Sequence, residues 1–284
     1  MVASGTSPLD LESLRELINL RLAQLVPEGH PRGPAAAARH SLLASGKRLR
    51  AVITLIAARS QGGSIEDALD VACAVEMIHT SSLVFDDLPA MDNADLRRGE
   101  PTAHKAFGED IAILAGIGLI NGAYEVIAQS KALTAERRME VLRIMTRSVG
   151  WQGLVHGQAL DLSSGADDAR VDAIHEGKTG ALFIAAAECG GLCAPECSDN
   201  QRRSLRAYGR ALGFAYQAFD DVLDQVVADG GKSTAVLGGR SSLASAKALA
   251  NRHLDQAVAA VGESSKLAKL AEFIRTYFAR TIAA

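Results

Sequence analysis

Between Ser64 and Leu88 the chain is apolar almost all the way round a helix. Ile65, Leu69, Ala72, Cys73 and Met77 fall on one face, and Val71, Val75, Ile78 and Leu83 cover the others. A helix without a polar face has no surface to offer water, so this segment is expected at the centre of a bundle. Its few polar residues, Glu76, His79, Thr80, Ser81 and Ser82, should then line something other than packed hydrocarbon. The rest of the chain agrees with this reading. Aromatic residues make up only 4% of 284 residues while Ala and Leu recur throughout, a balance that favours helix over sheet.

An all-α fold follows, with helices expected near 8–26, 34–44, 48–60, 64–88, 108–131, 134–149, 151–163, 170–189, 198–227, 241–261 and 265–282. Start signals precede several of them. Ser7-Pro8-Leu9-Asp10 combines a cap, a first-turn proline and a carboxylate, and Ser64-Ile65-Glu66-Asp67 and Ser198-Asp199-Asn200-Gln201 repeat the capping logic. No Pro/Gly/Ser-rich linker or fixed-period repeat divides the chain, so residues 1–284 read as one domain.

Charge and apolar run lengths exclude some functions. With 30 Lys+Arg against 33 Asp+Glu the formal charge is −3, which gives no reason to expect nucleic acid as a partner. The longest apolar stretches, Ala51 to Ala58 and Ile111 to Ile120, fall short of the roughly 20 residues of a transmembrane segment. The N-terminus lacks the basic-then-apolar order of a signal peptide, so a cytoplasmic protein is expected. Four cysteines make no disulfide framework. Cys189, Cys193 and Cys197 recur every four residues, but Pro195 should end the helix before the third and no fourth zinc ligand stands nearby, so they read as small buried thiols.

Two acidic clusters stand where electrostatics disfavours them. Pro89 should stop the central helix and leave Asp86 and Asp87 at its negative C-terminal end, with Asp92 just beyond. Asp220, Asp221 and Asp224 come near the end of another long apolar helix, Asp220 and Asp224 projecting within roughly 40° of each other. Both clusters are set among apolar neighbours, so neither makes a solvated face, and a cation is required. Oxygen-only ligands select hard divalent ions, Mg²⁺ first, and Mg²⁺ commonly shares its shell with phosphates. Basic groups to hold phosphate are present at Gly46-Lys47-Arg48-Leu49-Arg50, Arg97-Arg98 and Lys178-Thr179. No P-loop or dinucleotide fingerprint accompanies them, which leaves a diphosphate as the favoured ligand.

These motifs, with Leu96-Arg97-Arg98-Gly99, Gly157-Gln158-Ala159-Leu160-Asp161-Leu162 and Lys178-Thr179-Gly180-Ala181-Leu182, resemble in type and order those of the trans-isoprenyl diphosphate synthases. The likeness is greatest to the bacterial carotenoid-type geranylgeranyl diphosphate synthases. It implies an antiparallel helical bundle around a deep cavity, usually a homodimer, performing head-to-tail prenyl transfer. By resemblance, Asp86, Asp87, Asp92, Asp220, Asp221 and Asp224 hold Mg²⁺ against the diphosphate of an allylic substrate. Arg97, Lys178, Thr179 and Gln217 contact that diphosphate. Lys47, Arg50, His79 and Arg98 bind isopentenyl diphosphate. The residues implied to act in catalysis are Asp86, Asp92, Arg97, Lys178 and Asp220.

Ser81, five residues before Asp86, is small where farnesyl-producing relatives tend to carry an aromatic. The resemblance therefore favours the twenty-carbon product over the fifteen-carbon one. A farnesyl diphosphate synthase, a weakly active regulatory subunit and a terpene cyclase are the competing readings, the last disfavoured by the retained Lys47, Arg50, His79 and Arg98 set. Three departures stand out: Ala51 where proline is common, Gly116-Ile117 where most relatives have Gly-Asp, and a shortened stretch after Asp224, in which Lys232 matches the later lysine of the family pattern.

Overall fold

The computed structural model describes the backbone of residues 10–163, 173–228 and 243–283, and the side chains of these except at 221–228, 243–244 and 282–283. Among the described residues the regular structure is helical, apart from one hairpin of two-residue strands. In order come α1 (Leu11–Leu25), α2 (Pro34–Leu43), α3 (Leu49–Ser60), α4 (Ile65–Asp86), the strands β1 (Leu96–Arg97) and β2 (Glu100–Pro101), then α5 (Ala103–Phe107), α6 (Glu109–Gln129), α7 (Ala135–Val149) and α8 (Leu154–Leu162). A π-helical turn, His175–Gly180, leads directly into α9 (Ala181–Leu192), followed by α10 (Asp199–Ala228), α11 (Leu243–Val261) and α12 (Lys266–Ala283).

Local chemistry accounts for the helix ends. Asp10 caps α1, its Oδ1 accepting from the Ser13 N–H at 3.1 Å, while Ser7, Pro8 and Leu9 of the expected start signal lie outside the described residues. Ser64 Oγ accepts from the Asp67 N–H at 3.0 Å at the start of α4. Ser198 and Gln201 form a reciprocal capping box, with the Ser198 N–H donating to Gln201 Oε1 at 2.7 Å and the Gln201 N–H to Ser198 Oγ at 3.3 Å. Helix α4 stops at Asp86, three residues before Pro89, as the loss of an N–H donor and the ring clash demand.

Helix α4 occupies the middle of the bundle and packs against α3, α6 and α9. Short connections between contacting neighbours, such as residues 61–64 between α3 and α4, force them antiparallel. One buried apolar cluster joins the layers, including Leu22, Leu42, Ile53, Met77, Phe183, Tyr208 and Phe278. Cys73, Cys189 and Cys193 are buried free thiols and Cys197 is half-buried; burial pushes the Cys193 thiol up to about 12.

The apolar run lengths understated two helices. By length and hydropathy α4 and α6 each qualify to cross a membrane. The apolar window of α4 is 67% buried inside the bundle, which explains it as a core helix, whereas that of α6 is only 33% buried. The outer face of α6 presents Ile113, Leu114 and Ile117 to solvent. Ile117, the departure from the family's Gly-Asp pair, therefore lies on the outside of the molecule.

Candidate active site

A cleft of about 660 Å³ opens among α3, α4, α6, α8, the π-turn and α10. Its rim carries Asp86, Arg97, Arg98, Lys178, Thr179 and Asp220, and its walls are Ile78, Phe85, Ile120, Val149, Leu154 and Leu162. The polar residues of α4 sort as their helical positions require. His79, Ser81 and Ser82 reach the cleft, while Glu76 faces an adjoining basic pocket.

That pocket, about 530 Å³, is lined by Arg15, Lys47, Arg50, His79, Arg98 and Tyr216 among others. Arg50, His79, Arg98 and Tyr216 border both spaces, so the two communicate through a shared basic wall. Arg50 Nη1 donates to His79 Nε2 at 3.3 Å, and its guanidinium lies 4.4 Å from the Phe183 ring centroid. Burial, reinforced by Arg50 and Arg98, holds the His79 imidazole well below its ordinary range and keeps it neutral. Lys47 Nζ donates to the Tyr216 hydroxyl at 3.4 Å and sits 4.6 Å from the Tyr277 ring centroid, beneath the last helix.

Within the basic run opening α3, Arg48 does something other than its neighbours. It adopts a left-handed backbone conformation, φ 51°, which turns its side chain away from those of Lys47 and Arg50. Its Nε donates to Asn19 Oδ1 at 2.8 Å and its Nη2 to the Leu42 and Ala44 carbonyls at 2.6 and 3.0 Å. Glu76 lies 3.7 Å away, the two side chains only 2% and 3% exposed. Arg48 is thus a buried tie between α1, α2 and α4.

The first acidic cluster also divides. The Asp87 carboxylate receives Arg97 Nε on both oxygens, at 2.8 and 2.9 Å, and Arg97 Nη2 at 2.6 Å. A forked ion pair thus engages both Asp87 oxygens and orients Arg97 toward the cleft. Asp86 faces the cleft, 3.7 Å from Lys178 Nζ. Burial pushes its carboxyl up to about 6 against the pull of Lys178, and the charge of Asp92 adds to the rise. Asp92 is exposed at the mouth, its N–H donating to the Asp86 carbonyl at 2.9 Å. Across the cleft Asp220 is half-buried on α10. The side chains of Asp221 and Asp224, and Lys232 altogether, lie outside the described residues.

The π-turn presents the next pair. Lys178 Nζ donates to Asp161 Oδ2 at 2.6 Å, and Thr179 Oγ1 donates to Gln217 Oε1 at 2.8 Å. Burial opposes the Lys178 charge, but Asp86 and then Asp161 outweigh it and hold the ammonium above its usual range. Helix α8 reaches the turn only because both contact points are glycine. A Cβ on Gly157 would stand 2.3 Å from the Lys178 nitrogen, and one on Gly177 would stand 2.8 Å from the Gly157 Cα. Asp161, Tyr216 and Phe85 are site residues that motif spacing alone left without a role. Asp161 and Phe85 lay inside or beside quoted motifs, and Tyr216 next to Gln217.

Among the described residues no three Asp, Glu, His or Cys side chains already form a closed metal cluster. The cleft-facing donors suit a metal nonetheless. They are carboxylate oxygens, the preference of Mg²⁺, and Asp86 is a desolvated acid whose neighbour Lys178 sits closer to Asp161 than to Asp86.

A helical bundle enclosing an apolar-walled cleft with acidic residues at its rim and a basic second pocket defines the isoprenoid-synthase class. The chain belongs to the polyprenyl synthetase family, whose model matches residues 34–277. It is 41% identical over 268 residues to a geranylgeranyl diphosphate synthase of Pseudescherichia vulneris, covering 89% of this chain and 86% of that one. It is 41% identical over 219 residues to the large subunit 2 of a heterodimeric geranylgeranyl pyrophosphate synthase of Arabidopsis thaliana, covering 75% of this chain and 58% of that longer one. A solved FPP/GFPP synthase from Zymomonas mobilis superposes with a TM-score of 0.82 at 33% identity, over 94% of this chain and 96% of that one.

Proposed function

We propose that residues 1–284 form one polyprenyl synthase domain that condenses isopentenyl diphosphate with an allylic diphosphate and makes the twenty-carbon geranylgeranyl diphosphate. The observation that carries this reading is the shared wall. Arg50, His79, Arg98 and Tyr216 border both an acid-rimmed apolar cleft and a basic pocket, so two diphosphates can be held side by side with one hydrocarbon tail in the cleft.

Asp86 and Asp92, with Asp87 in support, and Asp220 would hold Mg²⁺, with Asp221 and Asp224 following on α10 in sequence. When bound, Mg²⁺ supplies charge stabilisation to the allylic diphosphate as it leaves. Arg97, fixed by Asp87, and Lys178, fixed by Asp161, take up the same developing charge, with Thr179 and Gln217 as polar partners. Breakage of the allylic C–O bond leaves a carbocation and diphosphate. The double bond of isopentenyl diphosphate, held by Lys47, Arg50 and Arg98, attacks the cation, and the proton then lost passes to the departing diphosphate. Neutral His79 accepts from Arg50 and orients it without adding a charge that would repel the cation. The apolar walls exclude water from the cation.

The exposed face of α6 supports pairing with a second copy of the chain, since Ile113, Leu114 and Ile117 make an apolar stripe on a helix of which little is buried. Reduced free thiols fit a cytoplasmic location.

Incubation with Mg²⁺, isopentenyl diphosphate and farnesyl diphosphate, followed by phosphatase treatment and chromatography, tests the activity. A twenty-carbon alcohol is expected. A fifteen-carbon limit from shorter allylic substrates would favour a farnesyl diphosphate synthase, and no product would refute prenyl transfer.

A further inference from the structure

Gly116 lies on α6 directly beneath the ring of Phe85, the residue preceding Asp86. A Cβ built on Gly116 would stand 2.6 Å from Phe85 Cζ and 2.9 and 3.0 Å from its two Cε atoms, so the ring is seated in the space a side chain would fill. The helices cannot easily part to relieve such a contact. Ser81 Oγ, one turn earlier on α4, donates to the Gly116 carbonyl at 3.0 Å, and both residues are buried. Beside the ring, Val84, Leu88, Ala103 and Ala112 form a buried cluster against which Phe85 packs. The remaining side of Phe85 lines the cleft. A ring displaced from Gly116 therefore has one open direction, into the path of the hydrocarbon tail. Ile78, Ser82 and Phe85 recur at helical spacing along that wall, so the displaced ring would narrow the passage just below Asp86.

We infer that Gly116 is a specificity-determining residue acting through Phe85: its missing side chain parks the ring against α6 and keeps the cleft wide enough for long allylic chains. The inference rests on the prenyl-transfer reading. It also gives Ser81 a second role, since its hydroxyl ties the helices at the same level.

The test compares kcat/KM for dimethylallyl and farnesyl diphosphates, with Mg²⁺ and isopentenyl diphosphate, in the full chain. Gly116→Ala should retain turnover of the five-carbon substrate and lose roughly tenfold or more on the fifteen-carbon one, shifting products to shorter chains. Phe85→Ala introduced into that variant should restore use of the longer substrate. Phe85→Ala alone, which does not depend on the glycine variant folding, should lengthen the products of the wild-type cleft. Equal losses on both substrates, failure of the double variant to recover, or unchanged products in Phe85→Ala alone would each overturn the role of Gly116. A wild-type enzyme inactive on both substrates would instead overturn the prenyl-transfer reading itself, and the inference with it.

Discussion

Adjacent charges in this protein have opposite fates, and the difference is one of backbone direction. Lys47, Arg48 and Arg50 all border the basic pocket, but Arg48 commits its guanidinium to Asn19 and the Leu42 and Ala44 carbonyls, buried between α1, α2 and α4. Replacing Arg48 with Met removes three hydrogen bonds and leaves Glu76 buried without its cation. The expected cost is about 3–5 kcal/mol in urea unfolding. Lys47→Met should leave the unfolding midpoint nearly unchanged and raise KM for isopentenyl diphosphate. Equal destabilisation by the two changes would contradict the assignment. A sequence shows the charge of each residue in such a run but not which one turns inward, because the positive φ of Arg48 has no signature in the residue itself. Asp86 and Asp87 were separable for the same reason only in three dimensions, by the fork of Arg97 on the latter.

His79 gives a pH test at the same scale. Its imidazole is held far below the free value of about 6.5, so the unfolded chain binds a proton that the folded one refuses. The stability it contributes is present above pH 6.5 and is lost as pH falls below it, by about 1.4 kcal/mol per pH unit. His79→Gln should therefore flatten the unfolding free energy between pH 6.5 and 5 relative to wild type. Parallel pH profiles for the two proteins would show that His79 titrates normally.

At the level of elements, the helices were readable because caps, apolar periodicity and Pro89 act locally. Most observed helices begin and end within a few residues of their expected bounds. The short α5, the β1–β2 hairpin and the π-turn were not readable. The first two are too short to set up a period, and the third depends on contact with α8. The π-turn positions Lys178 and Thr179, and its approach to α8 rests on Gly157 and Gly177. Gly157→Ala should push α8 away and break the Lys178–Asp161 pair, costing about 1–3 kcal/mol of stability. Activity should fall more than stability does, with the loss concentrated in kcat and checked by steady-state kinetics beside thermal melts. A variant with normal kcat would show that the glycine contact is only packing.

For the whole molecule, the sequence carried the fold class and the acidic and basic walls, since a helix apolar on all sides can only be central. It did not reveal that α6 is more apolar still yet largely uncovered, because composition cannot distinguish a face turned to the core from one turned outward. Leu114→Glu combined with Ile117→Glu should convert a dimer to a monomer by light scattering while the helical circular dichroism persists. A wild-type chain that is already monomeric, or a variant mass unchanged from a wild-type dimer, would exclude this face as the seam between copies.

The inward turn at Arg48 also limits how the Gly46–Arg50 loop can be edited. Deleting or inserting a single residue there would put Lys47 or Leu49 in the anchor's place, unseating the anchor and displacing the pocket's basic side chains in one event. Point substitutions at Lys47 or Arg50 can be tuned gradually, but the loop's length behaves as an all-or-nothing trait. Libraries built on this scaffold should therefore vary letters in that segment and never their number.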